Sequence, residues 1–119
     1  MPHIVVYNLA QADFETENIE KIEKAIIEVS VNVKELNLTE KDISFSFPAD
    51  PTITSDKVPI IVMVELLFDK PERTFEVRKQ WAQRLGQAIR SAILGWRNLV
   101  KIEVAIRRFN PVIDTFYSK

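Results

Sequence analysis

The residue of this chain best suited to acid–base chemistry is Pro2, which directly follows the initiator Met1. Methionine before a small residue such as proline is usually removed, and its removal leaves Pro2 with a secondary amine. An α-amine has an unperturbed pKa of about 7.7 to 8, and burial in an apolar, cationic pocket lowers that pKa to where the amine serves as a general base. If Met1 is retained, the Pro2 nitrogen is a non-basic amide. On position alone Pro2 is a candidate base, and the alternative is an ordinary proline at a chain start.

Composition argues against most other catalytic and metal-binding chemistry. The 119 residues include no Cys and a single His, His3, which argues against disulfides, zinc knuckles, iron–sulfur clusters and thiol catalysis. Three acids in predicted loops have spacings that fit no metal-ligand set: Asp50, Asp56 and Asp69. We therefore expect neither a metal nor a cofactor.

The hydropathy of the chain is that of a globular protein. Apolar residues make up 46% of the sequence and charged residues 28%, which is not the composition of a disordered chain. No stretch approaches the roughly 20 apolar residues of a membrane span, and the start lacks the pattern of a signal peptide. We expect a cytoplasmic protein that does not associate with membranes.

Charge is distributed unevenly along the chain. Residues 1–60 carry a net charge of −6 and residues 61–119 one of +5, and every Arg lies in the second half. A basic half is typical of a nucleic-acid-binding surface, an anion-binding site or the complementary side of a subunit contact. Arg107, on the polar face of the last predicted strand, is a candidate substrate-binding residue by charge alone. The alternative is a solvated or subunit-bridging charge.

The hydrophobic pattern predicts the order strand, helix, strand, strand, helix, strand. The predicted strands cover residues 3–9, 43–47, 60–68 and 100–109, and the predicted helices about residues 19–36 and 74–94. His3 and Tyr7 alternate with Pro2 along the first strand, and the sequence assigns them no role. The inner stripe of the second helix is predicted to be Phe75, Ala82, Leu85, Ile89 and Ala92. Trp81 lies off this stripe and is expected in the core or at an interface.

The two halves of the chain match in register. A shift of 56 residues aligns Ile4 with Ile60 and Val29 with Leu85, which predicts an internal duplication of about 1–57 and 58–119 within one domain, 1–119. The predicted fold class is therefore α+β, a pseudo-duplicated β-α-β (βαββαβ) with a four-stranded sheet and two helices on one face. Residues 60–68 are apolar enough to need cover on both faces, so we expect oligomerisation to cover the face without helices.

Three short segments are more specific than this general pattern. They are MPHIV at residues 1–5, RTFEVR at 73–78 where the second helix begins, and FNPV at 109–112 after the last strand. Together with the duplicated order of elements, they resemble the tautomerase superfamily, and most closely its 5-carboxymethyl-2-hydroxymuconate isomerase branch. That branch has Pro-His after the Met, an Arg-Ser-x-Glu-x-Arg segment at the same helix start and a His-Pro turn after the last strand.

The resemblance implies a tautomerase-like homotrimer. In that family the amino-terminal proline moves a proton between carbon and oxygen of a small enol or unsaturated carboxylic acid. Carried over by position, Pro2 is the base and Arg73 binds the substrate carboxylate with two parallel hydrogen bonds. The second strand of the isomerase branch begins with arginines, whereas residues 43–46 here are Ile-Ser-Phe-Ser. One anion-binding group of that branch is therefore missing from this chain.

Two other classes of function stay open at this point. A protein of the same fold without turnover would be a trimeric ligand-binding or structural protein. RNA-recognition modules share the order of elements, but they stack bases on strand aromatics, and residues 60–67 contain neither an aromatic nor a basic residue. We therefore expect a small carboxylate-bearing molecule as the partner and no nucleic acid.

Overall fold

The computed structural model describes residues 2–9, 11–49, 58–94 and 101–110 of the chain. Its strands are β1 (His3–Tyr7), β2 (Ser44–Ser46), β3 (Ile60–Phe68) and β4 (Ile102–Phe109), and its helices are α1 (Thr16–Asn32) and α2 (Phe75–Ile93). Short 3-10 turns cover Gln11–Phe14, Lys34–Leu36 and Glu40–Asp42. No helix in these ranges has the length and apolar character that a membrane span requires.

The four strands form one mixed sheet in the order β2-β1-β3-β4. β1 runs parallel to β2, β3 runs parallel to β4, and the two central strands β1 and β3 are antiparallel. A helix connects the strands of each parallel pair, as the β-α-β pattern requires. The predicted α+β fold with a four-stranded sheet is confirmed.

Both helices pack on the same face of the sheet. Ile4 and Val6 of β1 and Val62 of β3 are fully buried in one core with residues of both helices. The fully buried helix residues are Ile22, Ile26 and Ser30 of α1 and Trp81, Leu85, Ile89 and Ile93 of α2. Because successive side chains of a strand point to opposite faces, Val5 and Met63 point away from the helices.

The opposite face of the sheet, which we call the open face, carries no helix among the described residues. Register and alternation assign to it Ser44 and Ser46 of β2, His3, Val5 and Tyr7 of β1, Ile61, Met63 and Glu65 of β3, and Glu103, Ala105 and Arg107 of β4. Its centre is apolar, and Tyr7 is 37% exposed. In the described residues, one face of the sheet is therefore free of helices, as the sequence predicted.

The buried stripe of α2 differs from the predicted one. Phe75 was expected to face the core, but it is 64% exposed, and Trp81 occupies the core instead. Phe75 has the same angular position as the fully buried Ile93, because 18 residues make five turns of an α-helix. The prediction was wrong for Phe75 because it is the first residue of α2, and the buried residues of this helix begin only at Trp81.

Candidate functional site

The predicted base, Pro2, lies at the end of the sheet where β1 begins. The backbone N–H of Ser44 donates a hydrogen bond to the Pro2 carbonyl at 3.3 Å, and Pro2 is buried. Because β1 is antiparallel to β3 and β3 is parallel to β4, the start of β1 lies at the same end of the sheet as the last residues of β3 and β4. We call this the proline end of the sheet.

Arg73 lies at the proline end, in the turn between β3 and α2. Its side chain is nearly fully buried, and its Nη1 and Nη2 donate hydrogen bonds to the carbonyls of Phe68 and Leu36, both at 2.8 Å. Its Nε is buried without a hydrogen-bond partner among the described residues. Burial lowers the pKa of the Arg73 guanidinium, and the carboxylates of Glu72 and Asp42 oppose that shift. The Arg73 side chain thus connects its own turn to the end of β3 and to the 3-10 turn at Leu36. Substrate binding by Arg73 stays a prediction.

A cationic cavity of about 530 Å³ opens beside Arg73 at the start of α2. One of its lining side chains is a carboxylate, that of Asp69. Four are cationic: Lys70, Arg73, Arg78 and Arg108. Arg78 donates to the Arg73 carbonyl at 2.7 Å, and Arg108 lies 3.8 Å from the Asp69 carboxylate. Part of the positive charge of the second half is therefore concentrated at the proline end. Sequence reasoning singled out Arg73 in this group and missed Arg78 and Arg108, although Arg78 belongs to the same RTFEVR segment.

Arg107 lies on the open face and not in the cationic cavity. Its Nη1 is 4.0 Å from Oε1 of Glu65, and the two side chains are 70% and 40% exposed. Neighbouring residues of a strand point to opposite faces, so Arg108 lines the cavity and Arg107 does not. The structure therefore separates the two predicted arginines, and substrate binding by Arg107 stays a prediction.

Asp42 is a charged residue of the proline end that sequence reasoning did not single out. Its Oδ2 accepts hydrogen bonds from the Thr39 backbone N–H at 2.8 Å and the Thr39 hydroxyl at 3.1 Å. These bonds lower the pKa of the Asp42 carboxyl most, and the positive charge of Arg73 lowers it further. Asp42 precedes β2, which pairs with β1 through His3 and Ser44. Its carboxylate is therefore coupled electrostatically to Arg73.

The substitution Asp42→Asn tests this coupling through stability. A carboxyl whose pKa in the folded state is below its ordinary value of 3.8 stabilises the fold above that pH, and the contribution is lost as the pH falls through the folded-state pKa. We expect the variant to have a lower Tm than the wild type at pH 7 and the difference to shrink below pH 3.8. Thermal unfolding followed by circular dichroism from pH 2 to 7 measures it.

The matched control is Glu40→Gln, which neutralises an exposed acid in the same 3-10 turn. Its Tm should follow that of the wild type at each pH. An Asp42→Asn variant with the same Tm difference at every pH would contradict a role for the Asp42 charge and leave only the shape of the turn.

Comparison with known proteins supports the fold. No protein-family model and no curated protein matches the sequence. A 5-carboxymethyl-2-hydroxymuconate delta-isomerase is similar in structure at TM-score 0.68 and 12% identity, covering 99% of this chain and 89% of that chain. A fused 4-OT symmetric trimer matches at 0.64 and 12%, covering 98% and 90%. An FG41 malonate semialdehyde decarboxylase inhibited by 3-bromopropiolate matches at 0.59 and 16%, covering 99% and 89%. The chain therefore has the fold of the tautomerase superfamily, which its short motifs predicted.

Proposed function

We propose that this tautomerase-like protein is an isomerase that moves a proton within a small enol or unsaturated carboxylic acid, with the Pro2 amine as the base. The observation that carries the proposal is the position of Pro2 at the same end of the sheet as a cavity lined by four cationic side chains. A base and an anion-binding site at one end of the sheet are what the isomerisation of a carboxylic acid requires.

The chemistry follows from the charges at the proline end. The free amine of Pro2 takes a proton from carbon, and the electrons of the broken C–H bond move toward the neighbouring carbonyl oxygen as an enolate forms. The substrate carboxylate binds in the cationic cavity, where Arg78 and Arg108 supply positive charge. Fixed positive charges stabilise the developing negative charge without reorganisation during the reaction.

A second candidate function is ligand binding without turnover. The observation that favours it is the engagement of Arg73, whose Nη1 and Nη2 both donate to backbone carbonyls. An arginine held in this way offers fewer donors to a substrate than a free guanidinium does. This function requires the carboxylate to bind in the cationic cavity with no dependence on a Pro2 amine.

The test of the proposed function compares three forms of the protein. They are the processed chain, verified by intact mass to begin at Pro2, the variant Pro2→Ala, and a chain extended by one alanine before Pro2. We expect Pro2→Ala to lower kcat/KM for phenylpyruvate tautomerisation about 10- to 100-fold, because a primary amine remains as a weaker base. The extended chain should lose more activity, because its Pro2 nitrogen is an amide.

The control and the opposing outcome use the same assay. Pro48→Ala, at an exposed proline after β2, should have wild-type kcat/KM. The compound 3-bromopropiolate, which inhibits one of the structurally similar proteins, should label the processed chain once and the extended chain not at all. Equal activity of the processed, substituted and extended chains would refute the proline mechanism, and carboxylate binding without turnover would favour the second candidate.

We also propose that the chain forms a homotrimer through its open face. Two observations support this: the apolar centre of that face carries no helix from the part of the chain that the structure describes, and one of the similar structures is a symmetric trimer. Strands as apolar as β3 normally belong to sheets that are covered on both faces. Burying the open face against other copies removes an apolar patch from water.

The substitution Met63→Asp tests the trimer. Met63 lies near the centre of the open face, so a carboxylate there would be buried without a partner in the assembly. We expect light scattering to give three times the chain mass for the wild type and one chain mass for Met63→Asp at micromolar concentration. Gln80→Asp, on the exposed side of α2, should stay trimeric. A wild-type monomer under these conditions would contradict the proposal.

A further inference from the structure

Phe75, the first residue of α2, has the largest exposed fraction of the large apolar side chains that the structure describes, 64%. It lines the cationic cavity, and Phe75 and Pro71 are the two apolar residues among the described lining residues. The backbone is fixed here, because the Thr74 hydroxyl accepts a hydrogen bond from the Val77 N–H at 3.3 Å and the Thr74 carbonyl accepts one from the Arg78 N–H at 3.0 Å. The Phe75 ring is therefore carried into the cavity wall by a capped helix start.

An anion-binding group lies directly beside this ring. Arg78 follows Phe75 by three residues, so the two side chains are neighbours on the surface of α2. Arg78 Nη1 donates to the Arg73 carbonyl at 2.7 Å, which holds the guanidinium at the start of the helix. A guanidinium has five N–H donors, so it can hold this carbonyl and bind a carboxylate at the same time. The cavity thus presents an aromatic ring and an anion-binding group side by side.

The size of the cavity fits a ligand with more than a carboxylate. Its volume of about 530 Å³ is typical of small-molecule sites, in which apolar and aromatic side chains contact the body of the ligand and a few polar groups fix its orientation. A carboxylate held at Arg78 leaves room for the rest of the ligand against Phe75 and Pro71. Two aromatic rings attract each other in offset-stacked or edge-to-face contacts beyond the effect of burying apolar area. An aromatic ring on the ligand therefore matches this wall better than an alkyl group does.

The cavity is separate from the surface that we assign to the trimer. Among the described residues, no residue that lines the cavity belongs to the open face. The one strand residue of the lining is Arg108, which points away from the open face because Arg107 points towards it. Contact between copies through the open face therefore does not use the residues that would bind the ligand.

We propose that the cationic cavity selects carboxylic acids that carry an aromatic ring, and that Phe75 is the residue that sets this specificity. The inference rests on the proposed function, in which this cavity binds the substrate carboxylate. The carboxylate binds to Arg78, while Lys70 and Arg108 add positive charge. The aromatic ring of the ligand stacks on Phe75 and contacts Pro71. This contact is the same before and during proton transfer, so it strengthens binding without accelerating the chemical step.

Binding of two matched acids tests the proposal without turnover. Cinnamate and crotonate have the same unsaturated carboxylate, and cinnamate has a phenyl group where crotonate has a methyl group. In titrations followed by nuclear magnetic resonance, we expect the wild type to bind cinnamate about 3- to 10-fold more tightly than crotonate. Phe75→Ala should bind the two acids with equal Kd, and Phe75→Tyr, which keeps a ring, should retain the preference. Because Phe75 is mostly exposed, both variants should keep the wild-type fold.

Two further variants control for charge and for general surface effects. Arg78→Gln should weaken the binding of both acids by the same factor, because it removes a donor to the carboxylate that they share. Leu94→Ala, which removes a 57% exposed side chain just after α2, should leave both Kd values unchanged. If the wild type binds the two acids equally, or if Phe75→Ala keeps the preference for cinnamate, the role of Phe75 is refuted. If neither acid binds, both this role and carboxylate binding in the cavity are refuted.

Kinetics then separates the role of Phe75 from the proline mechanism. We expect Phe75→Ala to raise KM for phenylpyruvate about 3- to 10-fold with little change in kcat, as for the loss of a contact made equally in the ground and transition states. A variant with unchanged KM and kcat would contradict the role of Phe75 while leaving the proline mechanism in place. If the processed chain and the chain extended before Pro2 are equally active but both prefer cinnamate, the proline mechanism fails and the assignment of Phe75 stands.

Discussion

Replacing Trp81 with alanine is expected to lower the free energy of unfolding by about 3–5 kcal/mol, the range measured when large aromatic side chains are removed from cores. Trp81 is fully buried, and its Nε1–H donates a hydrogen bond to the Ser30 hydroxyl at 2.9 Å. Ser30 in turn donates to the Ile26 carbonyl at 2.7 Å, so the side chain links α2 to α1. The substitution removes both a large apolar volume and this link. Urea unfolding of the wild type and the variant measures the difference.

Two control variants separate volume from position. Trp81→Phe should cost about 1–2 kcal/mol, because it removes the hydrogen bond and part of the volume. Phe75→Ala should change stability by less than about 1 kcal/mol, because Phe75 is 64% exposed on the same helix. If Phe75→Ala were as costly as Trp81→Ala, the stripe predicted from the sequence would describe the helix better than the structure does.

Replacing Arg73 with methionine is expected to lower the free energy of unfolding by about 3 kcal/mol. Methionine keeps the apolar stem but leaves the carbonyls of Phe68 and Leu36 without their donors, and hydrogen bonds from charged groups contribute about 1.5–3 kcal/mol each. Loss of the unfavourable burial of the cation partly offsets that cost. Chemical denaturation provides the measurement.

The controls for Arg73 distinguish a structural role from substrate binding. Arg73→Lys should recover little stability, because one ammonium group does not reproduce the planar fork that serves two carbonyls. Arg84→Met, at an exposed arginine of α2, should change stability by no more than about 0.5 kcal/mol. A variant of Arg73 with full stability and a raised KM would instead show that its main partner is the substrate carboxylate.

Local patterns predicted most of the secondary structure. The apolar run of β3 was predicted with its observed bounds, Ile60–Phe68, and the alternation around Phe45 predicted the short β2 strand. The bounds of α1 were less accurate: the helix begins at Thr16, and it ends at Asn32 although Leu36 continues its spacing. Val33 has an extended backbone, and a 3-10 turn then buries Leu36 in the same core. Spacing alone therefore cannot distinguish a longer helix from a turn that places the same side chain inside.

The candidate site was predicted only in part. Pro2 could be identified because removal of a preceding Met gives a proline a secondary amine, a property that depends on chain position alone. Arg73 could be identified by the resemblance of its segment, but its carbonyl partner at Leu36 lies 37 residues away and cannot be inferred from local sequence. The sequence offered no basis for assigning Asp42 to the site, because its role depends on the pairing of β1 with β2.

The sequence by itself determined which side of each strand is apolar and that a proline directly precedes β1. These properties are local, because they depend on side-chain periodicity along each element. Only the tertiary structure decided that Ser44, His3 and Glu65 lie side by side and that three arginines and a lysine line one cavity. Strand register and helix packing bring these groups together from distant parts of the chain, and periodicity carries no information about which distant residues become neighbours.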